Sequence, residues 1–294
     1  MVAKVDDRVD LALFNVAEYG FQRPDVSVDV RNSGDSANSA IHSYTGNVMI
    51  RVLRPFPQDR IKLLIFDLDG TLVDSQLDLA NAVNAMLRHF NKPELPVHVI
   101  SGYIGDGAPM LVRRALNDPQ DEEFFKAAMD FFIRYYREHK LDNTYVYAGM
   151  KEALDSIRRA SDGQIKMAVL SNKPVRPSEG IVEGLGLSEY FVAVYGGNSF
   201  ATKKPDPEGA RKLLADTSTS PEEAIMVGDS HNDTLTARNA GMWSIGCTYG
   251  LAPHSLENAP PDVYIDAPYE LVEALGLQGG HRSKEVPASE GFSG

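Results

Sequence analysis

The feature that most constrains the fold of this chain is a regular alternation of apolar and amphipathic segments over residues 151–276. Periodicity predicts helices at 151–161, near 178–186 and at 207–216, 232–240 and 269–276, and strands at 165–171, 192–196, 224–228, 243–248 and near 263–266. An earlier apolar run at 61–66 predicts a buried strand of the same sheet. Such alternation is typical of an α/β fold with a doubly wound parallel sheet, and we expect this core to comprise residues 59–76 and 148–276.

An all-helical segment interrupts this alternation at residues 77–147. One predicted helix carries Ala80, Val83, Leu87 and Phe90 on a single face, and another carries Phe125, Ala128, Met129, Phe132 and Tyr136. Ser75-x-x-Asp78 has the pattern of a capping box, which predicts the start of the first helix. The insertion is therefore expected to form a small helical domain.

The two ends of the chain lack a sustained period of either kind. Residues 1–58 include a small-polar run at 31–39, and residues 277–294 form a polar tail, so both are predicted to lie outside the core. Met49 lies shortly before the first convincing strand. Two hypotheses follow: translation starts at Met49, or residues 1–48 form a regulatory or oligomerisation arm.

The charge balance bears on the partners that the chain can bind. Lys and Arg total 29 against 41 Asp and Glu, so the net charge of −12 disfavours nucleic acid and anionic membranes. An anionic substrate would need local lysines, backbone N–H groups or a metal ion. The single cysteine, Cys247, fits a reducing compartment, and no run approaches the roughly 20 apolar residues of a spanning helix. We expect a cytoplasmic monomer or homodimer.

The most informative motif is Asp67-Leu-Asp-Gly-Thr71, which directly follows the strand predicted at 61–66. Open α/β sheets bind their ligands at the carboxyl ends of strands. Asp67 and Asp69 project to the same side there, and two ionised carboxylates imply a shared proton or a cation such as Mg²⁺. The motif favours a nucleophilic Asp67 and an acid/base Asp69, and a solvated turn is the alternative.

Three further motifs supply complementary groups. Gly228-Asp-Ser-His-Asn-Asp233 follows a predicted strand and places Asp229 and Asp233 one helical turn apart, although a capping box would also explain Ser230 and Asp233. Ser171-Asn-Lys173 ends another strand with a hydroxyl, an amide and an ammonium group. Lys203-Lys-Pro-Asp206 precedes a helix and offers Lys204 as the local cation that the net charge requires. Together the motifs predict a phosphate site.

At these residues the sequence resembles the haloacid dehalogenase superfamily, whose motifs in order are Asp-x-Asp-x-Thr, Ser or Thr, Lys, and Gly-Asp-x-x-x-Asp. The resemblance covers about residues 60–276, and the helical insertion resembles the C1-type cap of that superfamily. More closely, the sequence is similar to the phosphoglycolate phosphatase group at Gly105-Asp-Gly107, Tyr147-Ala-Gly149, Tyr195-Gly-Gly197 and Thr248-Tyr-Gly250. The first 60 residues have no counterpart in this resemblance.

The resemblance implies a Mg²⁺-dependent phosphomonoesterase acting on a small organic phosphate, most closely 2-phosphoglycolate. It implies that Asp67 forms an aspartyl-phosphate, that Asp69 acts as acid and base, and that Asp67, the Asp69 carbonyl and Asp229 hold Mg²⁺. Asp233 is expected to orient Lys204 or a metal-bound water. Groups expected at the phosphoryl group or the rest of the substrate are the N–H groups of 68–70 and Thr71, Gly105, Asp106, Gly107, Ser171, Asn172, Lys173 and Lys204, with Arg113 or Arg114 facing a substrate carboxylate.

Other activities of the same fold stay open at this point. A dehalogenase would not need Asp69, whereas a phosphomutase would use the same aspartyl-phosphate and return the phosphoryl group to a sugar. Pyrophosphatase and nucleotidase are closer rivals. A non-catalytic ligand-binding relative is disfavoured because every motif position is filled.

Overall fold

The structure, a computed structural model, describes residues 41–44 and 49–277. Its centre is an eight-stranded sheet with the order β1-β2-β10-β9-β8-β3-β6-β7. These strands are β1 Ile41–Tyr44, β2 Met49–Val52, β3 Leu63–Phe66, β6 Lys166–Leu170, β7 Val194–Tyr195, β8 Ala224–Gly228, β9 Trp243–Cys247 and β10 Val263–Ile265. From β10 to β7 all neighbours pair in parallel, and β1 and β2 form an antiparallel edge. The predicted α/β class is confirmed.

Helices cover both faces of this sheet because its central strands are apolar on both sides. The helices are α5 Met150–Ala160, α6 Val175–Gly184, α7 Glu208–Thr217, α8 His231–Ala240 and α9 Glu270–Ala274. In β3, Leu64 and Phe66 belong to one hydrophobic cluster with residues of α5 and α6. The alternate residues Leu63 and Ile65 belong to another cluster with residues of α7 and α8. Strand geometry sends successive side chains to opposite faces, so β3 joins the two layers.

The predicted helical segment contains four helices with a hydrophobic cluster of their own. They are α1 Gln76–His89, α2 Val97–Ser101, α3 Ala108–Ala115 and α4 Glu122–His139. Val83, Met86, Ile100 and Phe132 are among the buried residues of this cluster. The chain leaves the core through β4 Val73–Asp74 and returns through β5 Tyr145–Val146, and these two strands pair antiparallel. The insertion therefore forms a separately packed helical unit.

Asp78 ties the two ends of the helical unit together. Its buried carboxylate accepts hydrogen bonds from the backbone N–H groups of Asn143 and Thr144 at 2.8–3.0 Å. The predicted capping box at Ser75 and Asp78 is wrong, because Ser75 makes no side-chain cap hydrogen bond and donates instead to Asp69. The alternative capping box at Ser230 and Asp233 is present at the start of α8.

Residues 49–58 belong to the core edge rather than to an extension outside it. β2 pairs antiparallel with β10, and Ile50 and Phe56 are buried in the main hydrophobic cluster. The predicted boundary of the extension at residue 58 is therefore corrected to a point before β2. The rest of the predicted extension, except β1, and the tail from residue 278 lie outside the described residues.

A search of the described helices finds none that is both long enough and apolar enough to cross a membrane.

Candidate active site

The carboxyl ends of three adjacent parallel strands bring the predicted motifs together. Asp67 directly follows β3, Ser171 directly follows β6 and Asp229 directly follows β8. The backbone N–H of Asp67 bonds to the carbonyl of Val227, so the motif starts in register with β8. Parallel strands deliver their carboxyl ends to one edge, which is why motifs far apart in sequence meet.

Lys204 lies between two buried carboxylates. Its Nζ is 2.9 Å from Asp67 Oδ1 and 2.6 Å from Asp233 Oδ1. Burial alone would lower the pKa of Lys204, but the two carboxylates outweigh it and raise that pKa. The other oxygen of Asp233 accepts hydrogen bonds from the N–H and hydroxyl of Ser230. Lys204 is thus a fixed cation beside Asp67, oriented by Asp233 as the resemblance implies.

Asp67, Asp229 and Asp233 form a buried cluster in which one carboxylate oxygen from each residue lies within 4.8 Å of the other two. Burial, reinforced by neighbouring carboxylates, raises the pKa of Asp229 to about 8. Burial also raises the pKa of Asp67 to about 6, against the opposing effect of Lys204. Like charges this close are unfavourable without a cation, and carboxylate oxygens are the ligands that Mg²⁺ prefers. The residues therefore fit a divalent cation.

The loop after β3 is shaped to keep Asp229 in this cluster. Gly70 has a φ of +84°, and a Cβ there would lie 2.2 Å from Asp229 Oδ2. The same oxygen accepts hydrogen bonds from the N–H groups of Leu251 and Ala252. Oδ1 of Asp233 contacts Lys204 and Oδ2 contacts Ser230, so both oxygens of this carboxylate already have partners within the chain.

Asp69 is held by two polar side chains. Its Oδ1 accepts a 2.5 Å hydrogen bond from Ser75 Oγ, and Lys173 Nζ lies 2.9 Å from Oδ1 and 2.7 Å from Oδ2. Lys173 Nζ also lies 4.8 Å from the ring centroid of Tyr136, a residue of α4. Lys173 was expected at the substrate, and its direct partner in the structure is Asp69.

Asn172 links three loops. Its Nδ2 donates to the carbonyls of Gly105 and Lys204 at 3.1 Å, and its buried Oδ1 has no hydrogen-bond partner within the described chain. Ser171 accepts a hydrogen bond from the Lys173 N–H. Thr71 is fully buried, its carbonyl accepts from the Tyr249 hydroxyl, and it does not line the cavity described below.

The loop before α3 docks on the core through Asp106. Its carboxylate accepts from Arg114 at 2.5 Å and from Asn232 Nδ2 at 3.0 Å, and its carbonyl accepts from Lys203 at 2.6 Å. Partial burial alone would raise the pKa of Asp106, but the hydrogen bonds from Asn232 and Arg114 outweigh it and lower that pKa. Gly107, with a φ of +84°, approaches so closely that a Cβ would lie 2.9 Å from the Asn172 carbonyl.

The expectation that Arg113 or Arg114 faces a substrate carboxylate is not met in this structure. Arg114 also donates to the Tyr103 carbonyl, and Arg113 pairs with Glu122. Neither arginine lines the cavity beside Asp67 and Asp69. Their roles are internal to the helical unit in this structure.

A cavity of about 590 Å³ opens beside the two catalytic candidates, between the core and the helical unit. Asp67, Asp69, Ser171, Asn172, Lys173, Gly105 and Gly107 all line it, as the motifs suggested. Sequence reasoning missed Arg137 and Lys140 at the end of α4 and Arg176 at the start of α6. Arg176 follows Ser171-Asn-Lys173 within three residues, and that proximity was the available signal.

Known proteins resemble this chain in sequence and in fold. The family model for haloacid dehalogenase-like hydrolases matches residues 64–247. Phosphoglycolate phosphatases from Photobacterium profundum and Chromobacterium violaceum are 38% and 37% identical, over 74% and 73% of this chain and 96% of each relative. The crystal structure of a predicted phosphoglycolate phosphatase from Haemophilus somnus has a TM-score of 0.68 at 31% identity, covering 73% of this chain and 97% of that one. The similarity therefore extends over nearly the whole of these relatives.

Proposed function

Because the chain belongs to the haloacid dehalogenase-like hydrolase family, we propose that it hydrolyses 2-phosphoglycolate or a closely similar small phosphoester through a phosphorylated Asp67. The family and its phosphoglycolate phosphatase relatives identify the chain as a phosphoric monoester hydrolase, and the proposal concerns the substrate and the intermediate. The observation that carries the proposal of substrate and intermediate is the position of Asp67, which directly follows β3, lines the cavity and contacts Lys204.

Asp67 is arranged to act as the nucleophile. Its Oδ1 accepts from the Leu68 N–H at 2.7 Å and lies 2.9 Å from Lys204 Nζ, so this oxygen is held in place. Oδ2 is then the oxygen that attacks phosphorus. The new Oδ2–P bond forms as the ester P–O bond breaks, and Asp69 gives its proton to the leaving alkoxide.

Asp69 reverses its role in the second step. Its carboxylate takes a proton from water as the water oxygen attacks phosphorus, and the Oδ2–P bond breaks. Inorganic phosphate leaves, Asp67 is again a carboxylate and Asp69 is again protonated. Asp69 lies two residues from Asp67, lines the same cavity and is held by Ser75 and Lys173 as a carboxylate, which is the form that acts as the base of this step. The acid of the first step is the protonated form of the same group.

Positive charge around the phosphoryl group comes from Lys204 and from the predicted metal site. Asp67, the Asp69 carbonyl and Asp229 would hold Mg²⁺, which would neutralise phosphoryl charge when bound. Lys204 Nζ reduces the repulsion between Asp67 and an incoming phosphate. The Ser171 hydroxyl, which lines the cavity, is a further candidate for donating to a phosphoryl oxygen. Asn172 Nδ2 and the N–H groups of Leu68 and Gly70 already donate to groups of the chain, so they would have to exchange those partners to bind the phosphoryl group.

The test is phosphate release from a panel of phosphoesters by the wild type, Asp67→Asn and Asp59→Asn, with and without chelator. Asp59 is exposed and outside the cavity, so its variant is the matched control. We expect Asp67→Asn to keep its melting temperature and lose more than about a hundredfold in kcat, because an amide cannot supply the attacking oxygen. Quenched wild-type enzyme should carry phosphate on Asp67.

Two results would contradict this proposal. Multiple turnover by Asp67→Asn at about one tenth of the wild-type rate would remove the nucleophile assignment. Release from pyrophosphate or nucleoside monophosphates with far higher kcat/KM than from 2-phosphoglycolate would reassign the substrate to one of the rival activities.

A further inference from the structure

The cavity beside Asp67 is locally cationic in an acidic protein. Four basic side chains line it, Lys173, Arg137, Lys140 and Arg176, against the carboxylates of Asp67 and Asp69. The chain as a whole carries a net charge of −12. An anionic substrate is repelled by the overall field, so cations concentrated in one cavity identify the place where its charge is accommodated.

Two of these cations already have partners. Lys173 is paired with Asp69. Lys140 donates to the Arg137 carbonyl and packs over α6, where a Cβ at Gly180 would lie 2.8 Å from Lys140 Cε. The guanidinium groups of Arg137 and Arg176 differ, because neither makes a hydrogen bond or ion pair with any part of the chain that the structure describes.

The position of Arg176 is not explained by helix electrostatics. Arg137 lies in the last turn of α4, where the helix dipole favours a cation. Arg176 is the second residue of α6, which has no acidic residue in its first turn, and the dipole disfavours a cation there. Arg176 is exposed, has no partner among the described residues, lies at the helix end where the dipole disfavours a cation, and lines the cavity. These features together favour an anionic ligand from outside the chain as its partner.

We propose that Arg137 and Arg176 bind a second anionic group of the substrate, a carboxylate, while its phosphoryl group lies at Asp67. The proposal rests on the phosphatase function proposed above and names the substrate class as small phosphoesters that carry a carboxylate. The two arginines come from different layers, Arg137 from the helical unit and Arg176 from the core. Guanidinium groups pair well with carboxylates, so one substrate anion would hold both layers together.

The test compares two substrates that differ in the carboxylate. 2-Phosphoglycolate and ethyl phosphate each carry a two-carbon leaving group, and ethyl phosphate lacks the second anion. Steady-state kinetics are measured for the wild type, Arg137→Ala, Arg176→Ala and Arg176→Lys. Arg134→Ala is the matched control, since Arg134 is an exposed arginine of α4 that does not line the cavity.

We expect each alanine variant to raise KM for 2-phosphoglycolate by about ten- to a hundredfold, at least ten times more than for ethyl phosphate. Arg176→Lys should recover part of the loss because it restores the charge without the planar fork. Arg134→Ala should change neither KM by more than about twofold.

The outcomes separate the subsite from the phosphatase function. If the alanine variants change both substrates equally, or change neither, the carboxylate subsite is overturned while wild-type phosphate release upholds the function. If the wild type releases phosphate from neither ester, the proposed function fails and the subsite fails with it.

Discussion

The ammonium group of Lys173 lies 2.9 and 2.7 Å from the two carboxylate oxygens of Asp69, the candidate acid and base. Both side chains are shielded, with 6% of Lys173 and 12% of Asp69 exposed. Although burial alone would lower the pKa of Lys173, the charge of Asp69 outweighs it and raises that pKa. The ring of Tyr136, whose centroid lies 4.8 Å from the ammonium, joins this pair to the helical unit.

This pair should be energetically coupled. Lys173→Met leaves the Asp69 carboxylate without its cation, and we expect a loss of about 2–4 kcal/mol in the free energy of unfolding. Asp69→Asn strands the ammonium instead, so the double variant should be less destabilised than the sum of the two. Urea unfolding of the four proteins should give a coupling energy of about 1–3 kcal/mol.

An exposed ion pair provides the control for that cycle. Arg88 Nη1 lies 2.7 Å from Glu94 Oε2, and about half of each side chain is exposed. The double-mutant cycle for this pair should give a coupling energy of less than about 0.5 kcal/mol. Additive effects at Lys173 and Asp69 would show that the close contact contributes nothing to stability.

Metal binding should stabilise the fold, and more so at higher pH. The raised pKa values of Asp67, about 6, and Asp229, about 8, mean that the folded chain binds more protons than the unfolded chain between about pH 4 and 8. In chelator, stability should therefore fall as pH rises through that window. Mg²⁺ competes with those protons, so the melting-temperature gain in excess Mg²⁺ should increase from about pH 5 to 8 and reach about 5 °C or more.

Asp229→Asn tests whether the carboxylate of Asp229 contributes both to the loss of stability at high pH and to the stabilisation by Mg²⁺. The variant removes one buried carboxylate, so its melting temperature in chelator at high pH should exceed that of the wild type, and its gain from Mg²⁺ should be small. Equal Mg²⁺ gains at both pH values, or an unchanged gain in the variant, would argue against a metal at this cluster.

Replacing Asp106 should raise KM for all substrates to a similar extent. It connects the loop before α3 to Asn232 and Lys203 of the core, so Asp106→Ala weakens the docking of the helical unit rather than contact with one substrate group. We expect KM to rise by about three- to tenfold for both 2-phosphoglycolate and ethyl phosphate. Asp130→Ala, an exposed aspartate of α4, is the control. A change confined to 2-phosphoglycolate would mean that Asp106 acts on the carboxylate after all.

Truncations before and after β2 should differ in their effect on stability. A chain that begins at Met49 keeps β2, and its kcat should stay within about twofold because residues 1–48 carry none of the motifs. A chain that begins at Leu53 loses the pairing with β10 and the buried Ile50, at a cost of at least about 2 kcal/mol. Thermal melting and phosphate release measure both. A large loss of kcat in the Met49 chain would show that the preceding residues contribute to the site.

The order of elements and the main chemical groups were readable from the sequence because both are local patterns. Apolar runs and helical periodicity predicted the parallel sheet, and polar motifs directly after strands 61–66, 165–171 and 224–228 predicted where its carboxyl edge lies. A parallel sheet brings such strand ends to one edge, so Asp67, Ser171 and Asp229 could be grouped before any distance was known.

The hydrogen-bond partners of individual side chains could not be predicted from the sequence, because they depend on which distant segments the fold brings together. Ser75 and Asp78 match the same capping pattern as Ser230 and Asp233, yet only the second pair caps its helix. Ser75 donates to Asp69, and Asp78 binds the chain 65 residues later, because folding brings those stronger partners within reach.

The cations that line the cavity also depend on the tertiary structure. The sequence by itself determined the α/β core, the Asp67-Leu-Asp69 motif after its first core strand and the need for local cations in a chain with a net charge of −12. Tertiary structure decided which cations those are: Arg114 is satisfied by Asp106, while Arg137 and Arg176, 39 positions apart, line one cavity. Spacing along a chain sets the local element, whereas only the tertiary approach of the end of α4 to α6, where Lys140 lies beside Gly180, sets which arginines line the cavity.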